Sequence, residues 1–317
     1  MIKRTLYFGN PAYLSLKNKQ LIIRLPEVEK NESLPASFKR EASGSVPIED
    51  LGFVILDHQQ LVLTHALMMS LMANHVTIIS CNSSHMPDGL MLPQETHSIQ
   101  TARTRAQLEA SEPLKKNLWQ QTVQAKIANQ KLLLAAEGVP IENMSYWQKN
   151  VKSGDTENHE GRASAYYWAN IFGMIPDFKR SREGSPPNNL LNYGYAILRA
   201  VVARALVSAG LHLVLGIHHR NKYNSYCLAD DLMEPYRPVV DKLVLAILKG
   251  MQHKDYFEPE DFELTTELKK QFLMIPAMDV YIESIKSPLM VAAQRTAASL
   301  IRCFEGSSRK LILPVIS

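Results

Sequence analysis

The feature that most limits the fold of this 317-residue chain is a change of hydrophobic period near Pro93. Before it, apolar residues come in short β-type runs: Thr5-Leu6-Tyr7-Phe8, Tyr13-Leu14-Ser15-Leu16 and Gln20-Leu21-Ile22-Ile23-Arg24. Turn residues such as Gly9-Asn10-Pro11 and Lys17-Asn18-Lys19 separate them. Residues 53–56 and 76–80 read as buried strands. Between them the i,i+4 spacing of Leu67/Leu71 and Met68/Met72 predicts a helix, with Thr64 as its N-cap. The polar stretch 27–44 reads as a loop. After Pro93 the period is helical almost to the end, and the spacing predicts helices over 160–172, 189–209, 231–249, 263–273 and 288–304. Ser111-Glu112-Pro113 reads as a helix start and Gly138 as its stop, with Gly210 and Gly306 as later C-terminal caps. That first long helix places Trp119, Val123 and Ile127 on one face, with Lys116, Lys126 and Lys131 expected elsewhere. The expected fold is α+β. A small β-rich N-terminal domain (1–95) precedes a larger all-α catalytic domain (96–317), with the boundary near residues 93–105.

Composition excludes several classes. Apolar residues make up 46% and charged residues 21% of the chain, which is globular rather than disordered. The three cysteines (Cys81, Cys227, Cys303) have neither zinc spacing nor a disulfide pattern, so a reducing cytoplasm is expected. No signal peptide is visible, and no uninterrupted apolar run reaches membrane-spanning length. A net charge of +4 is compatible with a polyanionic partner and does not by itself identify one.

Chemically capable residues concentrate in Gly216-Ile217-His218-His219-Arg220 and Asp230-Asp231-Leu232-Met233-Glu234-Pro235-Tyr236-Arg237-Pro238. On a helix Asp231 and Glu234 stand i,i+3 and share a face. Pro235 and Pro238 distort the turn that carries them. Taken singly, an acidic first turn is most often a solvated one, and a His-His pair is most often one packed ring and one exposed. Their closeness in the chain favours a site. Glu160, beside Ala163 and Ser164 at helical spacing, adds a third carboxylate, weak alone. Hard oxygen ligands with one imidazole suit magnesium or manganese, and such ions serve phosphate chemistry.

Three segments carry a resemblance: His159-Glu160-Gly161-Arg162-Ala163-Ser164, Asn188-Asn189-Leu190-Leu191-Asn192-Tyr193-Gly194-Tyr195, and Gly210-Leu211 through Arg237-Pro238. In order and spacing they resemble the CRISPR-associated adaptation integrases, with wording closest to members from type II loci. The resemblance implies a metal site of Glu160, His219 and an acid from the last motif. It prefers His219 to His218, and Glu234 as direct ligand, with Asp231 as second ligand or orienter. It implies an Mg2+- or Mn2+-dependent DNA endonuclease and integrase that joins short DNA 3′ ends to a repeat array by transesterification. The implied assembly is a homodimer with a small second adaptation protein, without a membrane. No nucleophilic Ser or Cys arrangement competes with that chemistry. The alternative is a metal-dependent nuclease on branched or single-stranded DNA with no joining role. A module with a vestigial site is disfavoured because every ligand type is present. A hydrolase of small phosphorylated metabolites lacks its Gly-rich loop.

Candidate DNA contacts are Lys179, Arg180 and Arg182 in a Gly/Pro-bearing loop, and Arg103, Arg105, Lys115 and Lys116 near the domain junction. Tyr166, Tyr167, Tyr193 and Tyr195 read as helical core. Arg237 stands i,i+4 from Asp241, a pairing distance, and is equally placed to meet a phosphate.

Overall fold

In a computed structural model the described residues are 3–30, 44–93, 98–251 and 257–317. Two compact units divide the chain, residues 1–96 and 97–317. The expected boundary at residues 95 and 96 falls outside the described residues, as does most of the expected 27–44 loop.

The first unit holds β1 (Arg4–Phe8), β2 (Ala12–Lys17), β3 (Gln20–Arg24), a short helix α1 (Pro26–Lys30), β4 (Gly44–Pro47), β5 (Leu51–Leu56), β6 (Leu61–Leu63), α2 (His65–Ala73), β7 (Thr77–Cys81) and β8 (Pro87–Met91). They form two four-stranded sheets, ordered β1-β5-β7-β8 and β4-β3-β2-β6. β1, β5 and β7 are parallel, and β5 is central, so both faces of residues 51–55 are buried. β2 alternates instead, with Ala12 and Leu14 inward and Tyr13 exposed. Asn18 and Lys19, at φ 50° and 59°, make the tight turn of the β2–β3 hairpin, whose twist calls for positive φ at both positions. Leu14, Leu21, Leu51, Val54, Leu67 and Leu71 share one core. Thr64 caps α2, as its position predicts, by accepting from the Leu67 amide.

The second unit is helical in the main: α3 (Gln100–Glu109), α4 (Glu112–Ala136), α5 (Glu142–Asn150), α6 (His159–Asn170), α7 (Asn188–Ser208), α8 (Cys227–Met233), α9 (Arg237–Gly250), α10 (Thr266–Phe272) and α11 (Leu289–Phe304). It also carries a small sheet that the all-α expectation for this region does not include. The sheet is ordered β10-β9-β11, from β9 (Asp279–Ile282), β10 (Ile285–Pro288) and β11 (Val315–Ile316). These strands are two to four residues long, too short for a clear period-2 signal.

α7 is the central element and packs on α8, α9 and α11. By length and composition it could cross a membrane, but 78% of its most apolar window is buried inside the protein, which marks a core helix. Gly194 lets α9 approach: a Cβ there would run into Val240 and stand 3.1 Å from Phe272 Cδ1. Pro235 and Pro238, lacking amide protons, break the expected 231–249 helix into α8, a 3-10 turn over Glu234–Tyr236, and α9. The break places Glu234 in the 3-10 turn, which packs on α4.

Candidate metal centre

Glu160 is held in the first turn of α6 by a well-capped helix start. The Asp155 carboxylate accepts the amides of His159 and Glu160, each at 2.9 Å. Asn158, in the left-handed conformation, accepts from the Gly161 amide. Ser164 Oγ, one turn on, donates to Glu160 Oε1 at 3.0 Å.

The loop that carries His219 is organised around a buried anion. Asp231 is fully buried, and its Oδ2 accepts the amides of Ile217 (2.7 Å) and His218 (3.0 Å). Its Oδ1 accepts the amide (3.1 Å) and Nδ1 (2.6 Å) of His219. Consecutive backbone N–H groups thus wrap one carboxylate as an anion nest. The wrap requires glycine at 216, where a Cβ would strike the His219 carbonyl and stand 2.8 Å from Asp231 Oδ2. Gly216→Ala is therefore expected to cost about 3 kcal/mol of stability. A thermal melt within about 1 °C of wild type, against a loss of several degrees expected for a unit of this size, would contradict it.

With Nδ1 committed to Asp231, Nε2 is the nitrogen His219 has left for a ligand. The hydrogen bond to Asp231 raises the His219 pKa above the ordinary histidine value, ahead of the opposing effect of burial. His218 goes the other way, pushed down mainly by burial, and its ring lies flat on Trp119 with centroids 4.1 Å apart. Trp119 also meets His219 edge-on at 5.7 Å, so one indole supports both imidazoles.

The third element is Lys126 on α4. Its ammonium contacts Glu160 Oε1 and lies 2.7 Å from Glu234 Oε2. Glu234 Oε1 is in turn 2.9 Å from Arg237 Nε. Burial alone would raise the Glu234 carboxyl; Arg237 and Lys126 outweigh it and hold the pKa at about 2. Burial opposes the Lys126 charge, yet the two carboxylates keep its pKa above the ordinary value. Among the described residues no three acid, histidine or cysteine side chains gather around one point as a ready metal cage. Lys126 stands between two of the expected ligands. The donors still fit a divalent cation: the Lys126 ammonium already sits between Glu160 and Glu234, and apart from Lys126 no hydrogen bond ties up the buried Glu234 Oε2.

The structure therefore gathers Glu160 and Glu234 at one ammonium, with His219 close enough to bias Glu234 electrostatically. Asp231 has both oxygens engaged in the loop. Two residues of the cluster lie outside the set expected from sequence. Lys126 lies on the buried face of α4, not elsewhere, and Trp119 is a platform as well as core. The signal is present in the spacing: 119, 122, 123, 126 and 130 form one helical stripe, and all five are buried. Arg237 pairs with Glu234 rather than Asp241, because its guanidinium lies over the Tyr195 ring at 4.7 Å. Asp241 instead accepts from Tyr167 (2.9 Å) and Tyr195, and burial lifts its pKa to about 6.

The basic candidates divide. Arg180 is committed inward, donating to the Ser181 carbonyl, Asn188 Oδ1 (2.8 Å) and Asn192 Oδ1 (2.7 Å). Arg103 donates to the Ala209 carbonyl at the end of α7 (2.8 Å). Lys116, Lys179 and Arg182 are exposed, and Lys115 is half-buried.

A family model described as CRISPR associated protein Cas1 matches residues 6–275. The chain is 31% identical to the CRISPR-associated endonuclease Cas1 of Neisseria meningitidis serogroup C (strain 8013), over 100% of this chain and 97% of the relative. Its fold is similar to a casposase bound to integration product, at TM-score 0.76 and 20% identity over 98% of this chain and 92% of that one. A chain of a Cas6-RT-Cas1–Cas2 complex is similar at TM-score 0.71 and 20% identity, over 98% of this chain and 36% of that one.

Proposed function

The chain belongs to the CRISPR-associated Cas1 family, and on that premise we propose that it joins 3′ ends of short DNA to a repeat array by metal-dependent transesterification. The observation that carries the reading is the convergence of Glu160 and Glu234, from distant segments of the chain, on the single ammonium of Lys126, with His219 beside them. The names of similar proteins, an endonuclease and a casposase bound to an integration product, support the same chemistry.

Glu160, His219 through Nε2 and Glu234 would hold the ion, and two carboxylates with one imidazole suit magnesium or manganese. When bound, such an ion offsets charge on the attacked phosphate and aligns the attacking and leaving oxygens. The chain's own residues prepare that place. Asp231 fixes the tautomer and orientation of His219, Arg237 anchors Glu234, and Ser164 steadies Glu160. Lys179, Arg182, Lys115 and Lys116 offer phosphate contacts. Arg180, donating to the Ser181 carbonyl and Asn188, shapes the loop that carries Lys179 and Arg182. The nucleophile is the DNA 3′-hydroxyl, so no side chain need form a covalent intermediate. The assembly is a homodimer working with the small second adaptation protein, in keeping with the Cas1–Cas2 complex whose chain shares this fold.

The test is incubation of the protein and that partner with a short duplex, supercoiled repeat DNA and Mn2+ or Mg2+. Joined products are expected. Cleavage of branched DNA with no joining would replace this reading by the nuclease one.

Acidity gives a second test. His219 binds a cation only when neutral, and Asp231 raises its pKa. A raised pKa keeps the proton on to higher pH, so affinity for Mn2+ should fall on acidification from above the ordinary histidine value of 6.5. Affinity unchanged between about pH 8 and about pH 6 would argue against His219 as a ligand.

A further inference from the structure

Lys126 is buried to 8% exposure. An ammonium so placed is costly unless its charge is met, and this one is met twice, by Glu160 and Glu234. These are the two carboxylates assigned above to a divalent cation. Neither depends on Lys126 alone for its position. Glu160 has Ser164 and a helix start tied down by Asp155; Glu234 has Arg237 at 2.9 Å. Lys126 meets Glu234 Oε2 as an ion pair at 2.7 Å. The ammonium therefore occupies the oxygens that a divalent cation would use.

We propose that Lys126 is a resident counter-cation, which neutralises Glu160 and Glu234 in the metal-free protein and has to give up that position when a divalent ion binds. The inference rests on the reading of Glu160, His219 and Glu234 as a metal site. It makes Lys126 a positioning residue that competes with the ion for the same oxygens. The competition sets the direction of its effect. Removing the ammonium leaves two held anions facing each other, and a divalent ion then binds without displacing anything. A lysine with only a structural role would have the opposite effect, because its loss would let the carboxylates part and weaken the site.

Calorimetric titration of the full chain with Mn2+ separates the two. Lys126→Met is expected to tighten binding by about tenfold or more, the scale of one like-charge contact removed from a partly buried site. The metal-free variant should melt below wild type, and Mn2+ should raise its melting temperature by more than it raises that of wild type. Equal or weaker binding by folded Lys126→Met overturns the proposal. Lys126→Arg keeps a competing cation and serves if the methionine variant does not fold. It is expected to bind Mn2+ no tighter than wild type, and tighter binding overturns the proposal as well. Glu160→Ala is the control for the underlying reading. If it binds Mn2+ as wild type does, the metal site itself is wrong and this inference falls with it. If Glu160→Ala loses binding while Lys126→Met gains none, only the inference fails.

Discussion

Alanine at Glu160 or at His219 will cut joining to repeat DNA by at least about a thousandfold, while DNA affinity stays within about threefold of wild type. The two readouts separate because the residues that would hold the ion and those that would hold the phosphates are different side chains. Glu160 is one of two carboxylates on the Lys126 ammonium, and its loss leaves that ammonium paired with Glu234. The fold therefore survives: the capped start of α6 depends on Asp155 and Asn158, not on the Glu160 side chain. A stability loss of about 1–2 kcal/mol is expected, because one of the two charges on a buried ammonium is removed and the other stays. His219→Ala removes one of four hydrogen bonds to Asp231 and leaves the three backbone donors in place. Joining within about tenfold of wild type for either variant would remove that residue from the site.

Much of this arrangement is legible in the chain itself. The strands of the first unit follow from alternation and turn residues, and the long helix from Ser111 to Gly138 from its cap, proline and stop. The candidate site is legible only in part, because spacing reports neighbours along a helix and not across space. Asp231 and Glu234 share a face in sequence, yet they are put to different uses, Asp231 bonded to the His219 loop and Glu234 in the 3-10 turn that packs on α4. Lys126 escapes notice for a different reason. A lysine in an apolar stripe reads as solvated, since burial of an ammonium is penalised. Only the three-dimensional pairing with Glu160 and Glu234 offsets the penalty. Arg180 shows the converse: a basic residue in a Gly/Pro-bearing loop reads as a surface contact, but Asn188 and Asn192 of α7 draw it inward.

Asp231→Ala tests that division of labour and is expected to damage the fold rather than the metal affinity alone. The carboxylate is fully buried and accepts four hydrogen bonds, three of them from consecutive backbone amides. Truncation leaves those amides facing a cavity, and each unsatisfied donor costs about 1–3 kcal/mol. Some of the loop will relax toward solvent, so the net loss is placed at about 3–5 kcal/mol, the range for breaking a buried charged network. For a unit of this size that is a fall in melting temperature of roughly 10 °C. Joining falls as well, because His219 loses the partner that fixes its tautomer, and excess Mn2+ does not restore it while the loop stays disordered. A direct ligand behaves differently. Its loss lowers metal affinity at nearly constant stability, and high Mn2+ recovers part of the activity. Were Asp231→Ala to melt within about 2 °C of wild type and regain joining with added metal, Asp231 would have to be a ligand and the anion nest around it incidental.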